Sequence, residues 1–238
     1  MDTETLGEAE TSPIAAFLRD AEGLDGPTAL RAAIAAFPGK IAVVSSFGAE
    51  SAVLLSVVAE IDRAVPVLFL DTGKHFDETL DYRRALAARL GLLDVRDITP
   101  DKSELSSVDP DGDLWVWDPD ACCNVRKVSP LNRALAPFTG WVSGRKRHQA
   151  ATRSGVRVVG RDGARLRIDP LADWNQTRLA AEIVARDLPA HPLVARGYPS
   201  IGCATCTQPV AAGADPRSGR WAGLGKTECG IHRPAMAA

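Results

Sequence analysis

Five cysteines set the chemistry this chain can perform. Cys122 and Cys123 are adjacent, Cys203 and Cys206 form a Cys-x-x-Cys, and Cys229 stands alone near the end of the sequence. Two pairs of thiolates suit one four-cysteine site holding Zn²⁺ or an iron–sulfur cluster. Adjacent cysteines bind a single small ion only with strain, but can reach neighbouring irons of a cubane. The residues therefore favour [4Fe–4S] over zinc. The Cys-x-x-Cys follows Pro199-Ser200-Ile201-Gly202 rather than opening a helix after an N-terminal strand, which argues against a thioredoxin-type redox pair.

Cys229 lies in Lys226-Thr227-Glu228-Cys229-Gly230-Ile231-His232. A nucleophilic thiol must be ionised at working pH, and nearby cations favour the thiolate. Lys226, His232 and the upstream Arg217 and Arg220 are the candidates. Gly223, Gly225 and Gly230 give the segment the freedom a moving nucleophile needs.

Two loops offer an anion site. Ser45-Ser46-Phe47-Gly48-Ala49-Glu50-Ser51 joins an apolar run to a helix, and Leu70-Asp71-Thr72-Gly73-Lys74-His75 follows a second such run. Strand-to-helix loops of α/β sheets present backbone N–H groups to ligands. Taken alone, each loop is equally an ordinary turn capped by Ser or Asp. Arg145, Lys146, Arg147 and Arg153 add cations that suit phosphate or sulfate oxygens, although any one of them is more simply a solvated surface charge.

The elements that position these groups read as one α/β domain over residues 1–238, with a loose tail over 1–12 and a mobile segment, 207–238, carrying the nucleophile. Helices are predicted over 13–20, 27–37, 50–61, 76–90, 120–135 and 177–187. Strands are predicted over 41–44, 65–70 and 94–98, with a strand end at 141–144. A hairpin is expected with arms 156–159 and 165–168. Helices alternating with buried strands imply a mostly parallel sheet flanked by helices.

The chain has 238 residues, 45% hydrophobic and 24% charged, with a formal net charge of −2. That balance argues against a general nucleic-acid binder and leaves room for a local basic site. No secretory signal opens the sequence, and no run approaches the ~18–20 apolar residues of a membrane span. A cytoplasmic protein is expected, and in a reducing compartment paired cysteines are ligands or catalysts rather than disulfides.

Several motifs together resemble the sulfonucleotide reductases, specifically the bacterial iron–sulfur adenylyl-sulfate (APS) reductases. They are Ser45-Ser46-Phe47-Gly48, Leu70-Asp71-Thr72-Gly73, Cys122-Cys123-x-x-Arg126-Lys127-x-x-Pro130-Leu131, Asp169 to Trp174, Arg196 to Cys203 and Lys226 to His232. The resemblance spans roughly residues 40 to 233. It implies an adenine-nucleotide α-hydrolase-like fold with a loop-rich C-terminal segment, and a [4Fe–4S] cluster on Cys122, Cys123, Cys203 and Cys206. It implies that Cys229 attacks the sulfur of APS. Ser45, Ser46, Phe47, Gly48, Ser51, Leu70 and Asp71 would belong to the nucleotide pocket. Arg145, Arg153, Arg217, Arg220 and His232 would hold the anionic end, and Lys127 would link cluster to substrate.

No thioredoxin-like segment follows Cys229 as in plant members, so an external thioredoxin or glutaredoxin-like reductant is expected; family members are often homo-oligomers. The alternatives are a reductase of 3′-phosphorylated APS (PAPS) that retains the cluster, an ATP pyrophosphatase, and a non-catalytic metal-binding module. The pyrophosphatase class usually carries Ser-Gly-Gly-x-Asp-Ser in its first loop, and the Gly-Gly and Asp are absent here.

Overall fold

The computed structural model describes residues 12–224 and 226–232. Of the expected N-terminal tail, 1–11 lie outside these, and Ser12 is the N-cap of the first helix, accepting from the Ala15 N–H. From the segment 207–238, residue 225 and residues 233–238 also lie outside.

Helices α1 (Pro13–Asp20) and α2 (Gly26–Ala36) come first. Each begins behind a side-chain cap, Ser12 and Asp25, with proline in its first turn, where a missing N–H costs nothing. Then β1 (Ile41–Val44), α3 (Ser51–Ile61), β2 (Val67–Leu70), α4 (Asp77–Leu90) and β3 (Val95–Ile98) alternate. The strand predicted from Val65 starts at Val67, because Pro66 has no N–H to give a ladder.

Two short helices follow that the sequence reading did not contain, α5 (Lys102–Val108) and α6 (Leu114–Trp117). The helix predicted over 120–135 is present but composite. It comprises α7 (Pro119–Cys123), a π-helical turn (Asn124–Val128) and α8 (Ser129–Ala134). After β4 (Gly140–Val142) comes a hairpin of β5 (Val159–Asp162) and β6 (Arg165–Ile168), then α9 (Gln176–Ala185). The first arm of the hairpin begins three residues later than predicted. The turn is Gly163-Ala164, with Gly163 at φ +58°, and Gly160 and Arg161 are strand residues.

The six strands run in the order β3-β2-β1-β4-β6-β5, all parallel except the β5–β6 pair. β1 and β2 are buried at every position, as two covered faces require. One face packs Phe17, Leu30, Val53, Leu55 and Leu86 against Val43, Val67 and Phe69. The other packs Leu131, Leu135 and Phe138 against Ala42, Leu68 and Trp141. Chain order reverses between β1 and β4, so their C-terminal ends diverge into a crevice where α/β sheets take ligands.

Candidate active site

A cavity of about 580 Å³ opens at that crevice. Ser45, Ser46, Gly48 and Ser51 line it from the β1–α3 loop, and Leu70 and His75 from the loop after β2. No side chain caps the first turn of α3, which leaves amides there able to serve an anion. Arg145, Lys146, Gln149 and Arg153 enter from the segment after β4. Arg217, Arg220, Glu228, Cys229 and His232 close it from the C-terminal segment.

Two predicted pocket residues lie elsewhere. Phe47 is fully buried in the core at φ +48°, its ring edge-on to Phe69 with centroids 5.8 Å apart. It anchors the loop rather than lining the cavity. Asp71 is also outside the lining; its carboxylate accepts the Gly73 N–H at 3.0 Å and shapes its own turn. The other predicted substrate residues, with Lys127 and Cys229, share one cavity.

The four paired cysteines border a second, smaller cavity with Lys74, Arg126, Lys127, Arg220 and Trp221. Cys122, Cys123 and Cys203 are buried. The π-turn after Cys123 widens the helix so that Arg126 turns inward. There it pairs with Asp109 at 2.6 Å and donates to the Thr72 carbonyl at 2.8 Å. Thr72 Oγ1 lies 3.3 Å from Cys203 Sγ, which ties the β2 loop to the second cysteine pair. Among the described residues no three His, Cys, Asp or Glu side chains converge to hold a single metal ion. Burial pushes the Cys122 thiol up to about 11.

Lys127, Arg220 and Trp221 line both cavities. Burial disfavours the Lys127 ammonium, but Cys203, Cys229 and Cys123 outweigh that and hold it charged. Arg220 lies against the Gly202 backbone, where any side chain would collide with its guanidinium. Its Nε is buried without a partner.

Cys229 meets Cys123 directly. The Cys123 thiol donates to it and is pushed up by that bond and by burial. The same bond, Lys127, the Ile231 N–H and Arg220 hold Cys229 well below the ordinary thiol range against the opposing effect of burial. Lys226 anchors the segment from the other side, its ammonium on the Pro119 carbonyl at 3.1 Å and on Asp120.

Lys146, one of the expected cations, is buried and paired with Glu50 at 2.8 Å. Three further contributors were assigned no role from the sequence. Asp169 accepts from Ser143 and from Arg145 at 2.6 Å. Arg167 stacks 4.2 Å from the Trp141 ring centroid and donates to His232 Nδ1 at 2.9 Å. Glu228 bridges Arg153 and Arg217. Their roles carry no local signal, because each is made buried or bridging by a segment distant in sequence.

The chain matches the family model described as "Phosphoadenosine phosphosulfate reductase domain" over residues 40–209. It is 57% identical over 202 residues to an adenosine 5′-phosphosulfate reductase of Mesorhizobium japonicum, covering 85% of this chain and 80% of that one. The phosphoadenylyl-sulfate reductase of Candida auris, solved with phosphate, superposes with a TM-score of 0.65 at 26% identity, over 80% of this chain and 94% of that one. An FMN adenylyltransferase of Candida glabrata shares the fold at a TM-score of 0.56 and 18% identity, over 84% and 67% of the two chains. On these likenesses the chain belongs to the phosphoadenosine phosphosulfate reductase domain family.

Proposed function

We propose that this chain is an APS reductase that releases sulfite and AMP with electrons from thioredoxin. One observation carries the reading: Cys229 faces the cavity that Lys127, Arg153, Arg217 and Arg220 make cationic over the β1 loop, with His232 beside them. A dianionic phosphosulfate fits such a site, with the adenosine toward Ser45, Ser46, Gly48 and Leu70.

The Cys229 thiolate attacks the sulfur of APS, and the bond from that sulfur to the bridging oxygen breaks. AMP leaves with the electron pair, and the enzyme carries S-sulfocysteine. A thioredoxin thiolate then attacks Cys229 Sγ and expels sulfite. The second thioredoxin thiol resolves the mixed disulfide, restores Cys229 and oxidises thioredoxin. The cavity's contribution is placement of the thiolate in line with the leaving oxygen, and fixed positive charge where the leaving group gains negative charge. Arg217 and Arg220 suit the equatorial oxygens, and Lys127 stands between them and the cysteines.

Cys122, Cys123, Cys203 and Cys206 fit a [4Fe–4S] cluster better than zinc. Four thiols border one cavity, and in a cubane each thiolate would take its own iron, which spares the adjacent Cys122 and Cys123 from sharing one ion. Cationic Arg126, Lys127 and Arg220 offset the charge of such a group. Its chemical contribution is a field that organises the site, with no electron exchange required. No helix among the described residues is long and apolar enough to cross a membrane, and a reducing cytoplasm suits both cluster and thiolate.

The test is thioredoxin-dependent sulfite release by the anaerobically purified protein, with APS and PAPS at equal low concentration. Preference for APS with a Cys229-bound sulfonate detected by mass spectrometry is expected. Likeness to the Candida auris PAPS reductase makes PAPS the second reading, and better use of PAPS would replace the substrate while leaving the Cys229 chemistry intact. No sulfite from either substrate would overturn both.

A further inference from the structure

The cations of the large cavity are not equally free to meet an incoming anion. Arg145 is held by Asp169, at the end of β6, and Lys146 by Glu50, at the start of α3. Both carboxylates belong to the sheet framework. Arg153 and Arg217 are held by Glu228, which belongs to the C-terminal segment and immediately precedes Cys229. Arg153 Nε and Nη2 meet the two Glu228 oxygens at 2.6 and 2.8 Å, a fork on a carboxylate, and Arg217 Nη2 lies 3.4 Å from one of them. Thr152 Oγ1 adds a fourth donor at 3.3 Å. A carboxylate gripped by two guanidiniums and a hydroxyl occupies a site chemically suited to a phosphate or sulfate.

Glu228 and Lys226 divide the hold on Cys229. Lys226 is fixed to the helix of the first cysteine pair, outside the large cavity, through Pro119 and Asp120. Glu228 is fixed inside the cavity. An anion can take the arginines from Glu228 without disturbing the Lys226 anchor, so Cys229 stays tethered beside Cys123 while the Glu228 side chain swings out.

We infer that Glu228 is an internal competitor for the nucleotide's anionic group, exchanging places with it on Arg153 and Arg217 as the cavity fills and empties. The inference rests on the proposed reading of the cavity as a sulfonucleotide site. In the empty enzyme Glu228 offsets one of the two arginine charges and holds its stretch of the segment against them. On loading, the substrate's multiply charged end displaces it. After sulfur transfer AMP keeps fewer contacts, and the returning Glu228 speeds its departure. Glu228 is thus a positioning residue for the segment and an aid to product release.

The competition predicts tighter nucleotide binding when Glu228 cannot compete. In Glu228→Gln holoenzyme, AMP affinity measured by calorimetry should rise about tenfold, the factor by which a competing closed state lowers apparent affinity. KM for APS should fall, and kcat should fall with it as AMP release becomes limiting. Hydrogen exchange gives the structural readout. AMP should raise amide exchange at Thr227 and Glu228 in the wild type, whereas in Glu228→Gln exchange there should be high without AMP and unaffected by it. Glu228→Ser, judged by unchanged iron content, repeats both measurements with a smaller side chain.

Equal or weaker AMP binding by both variants, or AMP-induced protection of Thr227 and Glu228 in the wild type, would overturn the competition while leaving the nucleotide site in place. No AMP binding by any of the three proteins would overturn the site itself, and the inference with it.

Discussion

Arg167 fixes the tautomer of His232. Its Nη2 donates to His232 Nδ1 at 2.9 Å, and a guanidinium has no acceptor to offer, so Nδ1 must be the unprotonated nitrogen. Burial and the charges of Arg167, Arg153, Arg145 and Arg217 hold His232 well below the ordinary imidazole range. The ring also lies parallel to Trp141, 2° between planes with centroids 6.4 Å apart. His232 is therefore a neutral donor through Nε2, aimed by a residue 65 positions earlier in the chain.

A donor at Nε2 is mimicked by the amide of glutamine. His232→Gln should retain a larger share of kcat/KM for APS than His232→Ala, which should lose about 10²-fold, the range for one donor aimed at developing charge. Arg167→Met should let His232 titrate nearer its ordinary range, read by ring-nitrogen NMR. An imidazole still held neutral in Arg167→Met would show that burial alone sets its state.

Lys127 is the test of communication between the two cavities, since it lines both. Lys127→Gln should leave iron content and the visible spectrum intact, because the four paired cysteines remain. It should lower kcat/KM for APS by about 10²-fold through loss of one fixed charge. The rate of Cys229 alkylation should fall as its thiolate loses a cation. Loss of iron in this variant would assign Lys127 to cluster retention instead.

Much of this site was legible because its chemistry is written in unusual residues. Paired cysteines, serine- and glycine-bearing loops after apolar runs, and Lys226 to His232 are local signals, and the loops fall where alternating strands and helices place them. The misses share a physical cause. Arg167 occupies a polar position of a hairpin arm, yet it is buried over the Trp141 ring and donates to His232. Lys146 sits in an Arg-Lys-Arg run that looks solvated, yet Glu50 and the fold take it inside. The π-turn at Asn124–Val128 has no pattern distinct from an α-helix over five residues. Helix α5 did have a signal, Asp101 capping Ser103 and Glu104, although its residues are too polar to show an apolar stripe.

Phe47 was read as a pocket residue because it lies within the loop motif, and its burial gives it a different task. Its ring fills the core against Phe69, while its N–H is held by Ser45 Oγ at 3.2 Å. Phe47→Ala should cost about 3–5 kcal/mol of unfolding free energy, the range for emptying an aromatic core site. KM for APS should rise because the adjoining Ser45, Ser46 and Gly48 lose their anchor. Unchanged stability in urea denaturation, with only KM altered, would return Phe47 to the pocket wall.

His191 supplies a pH dependence of stability independent of the cysteines. It is buried against the Tyr82 ring, centroids 4.7 Å apart. Nδ1 accepts the Leu193 N–H at 3.2 Å, so Nε2–H donates to Thr79 Oγ1 at 3.1 Å. Both ring nitrogens are satisfied only in the neutral form, and burial lowers its pKa from 6.5 to about 4. Between these values the unfolded chain holds a proton that the folded chain does not. The group's contribution is therefore complete above about pH 6.5, is lost as pH falls toward 4, and amounts to roughly 2 kcal/mol by pH 5. Urea midpoints from pH 8 to 5 should show this loss in the wild type, and a shallower one in His191→Gln, whose amide cannot take up the proton. Parallel pH profiles for the two proteins would show that the acid sensitivity of the fold arises from other groups.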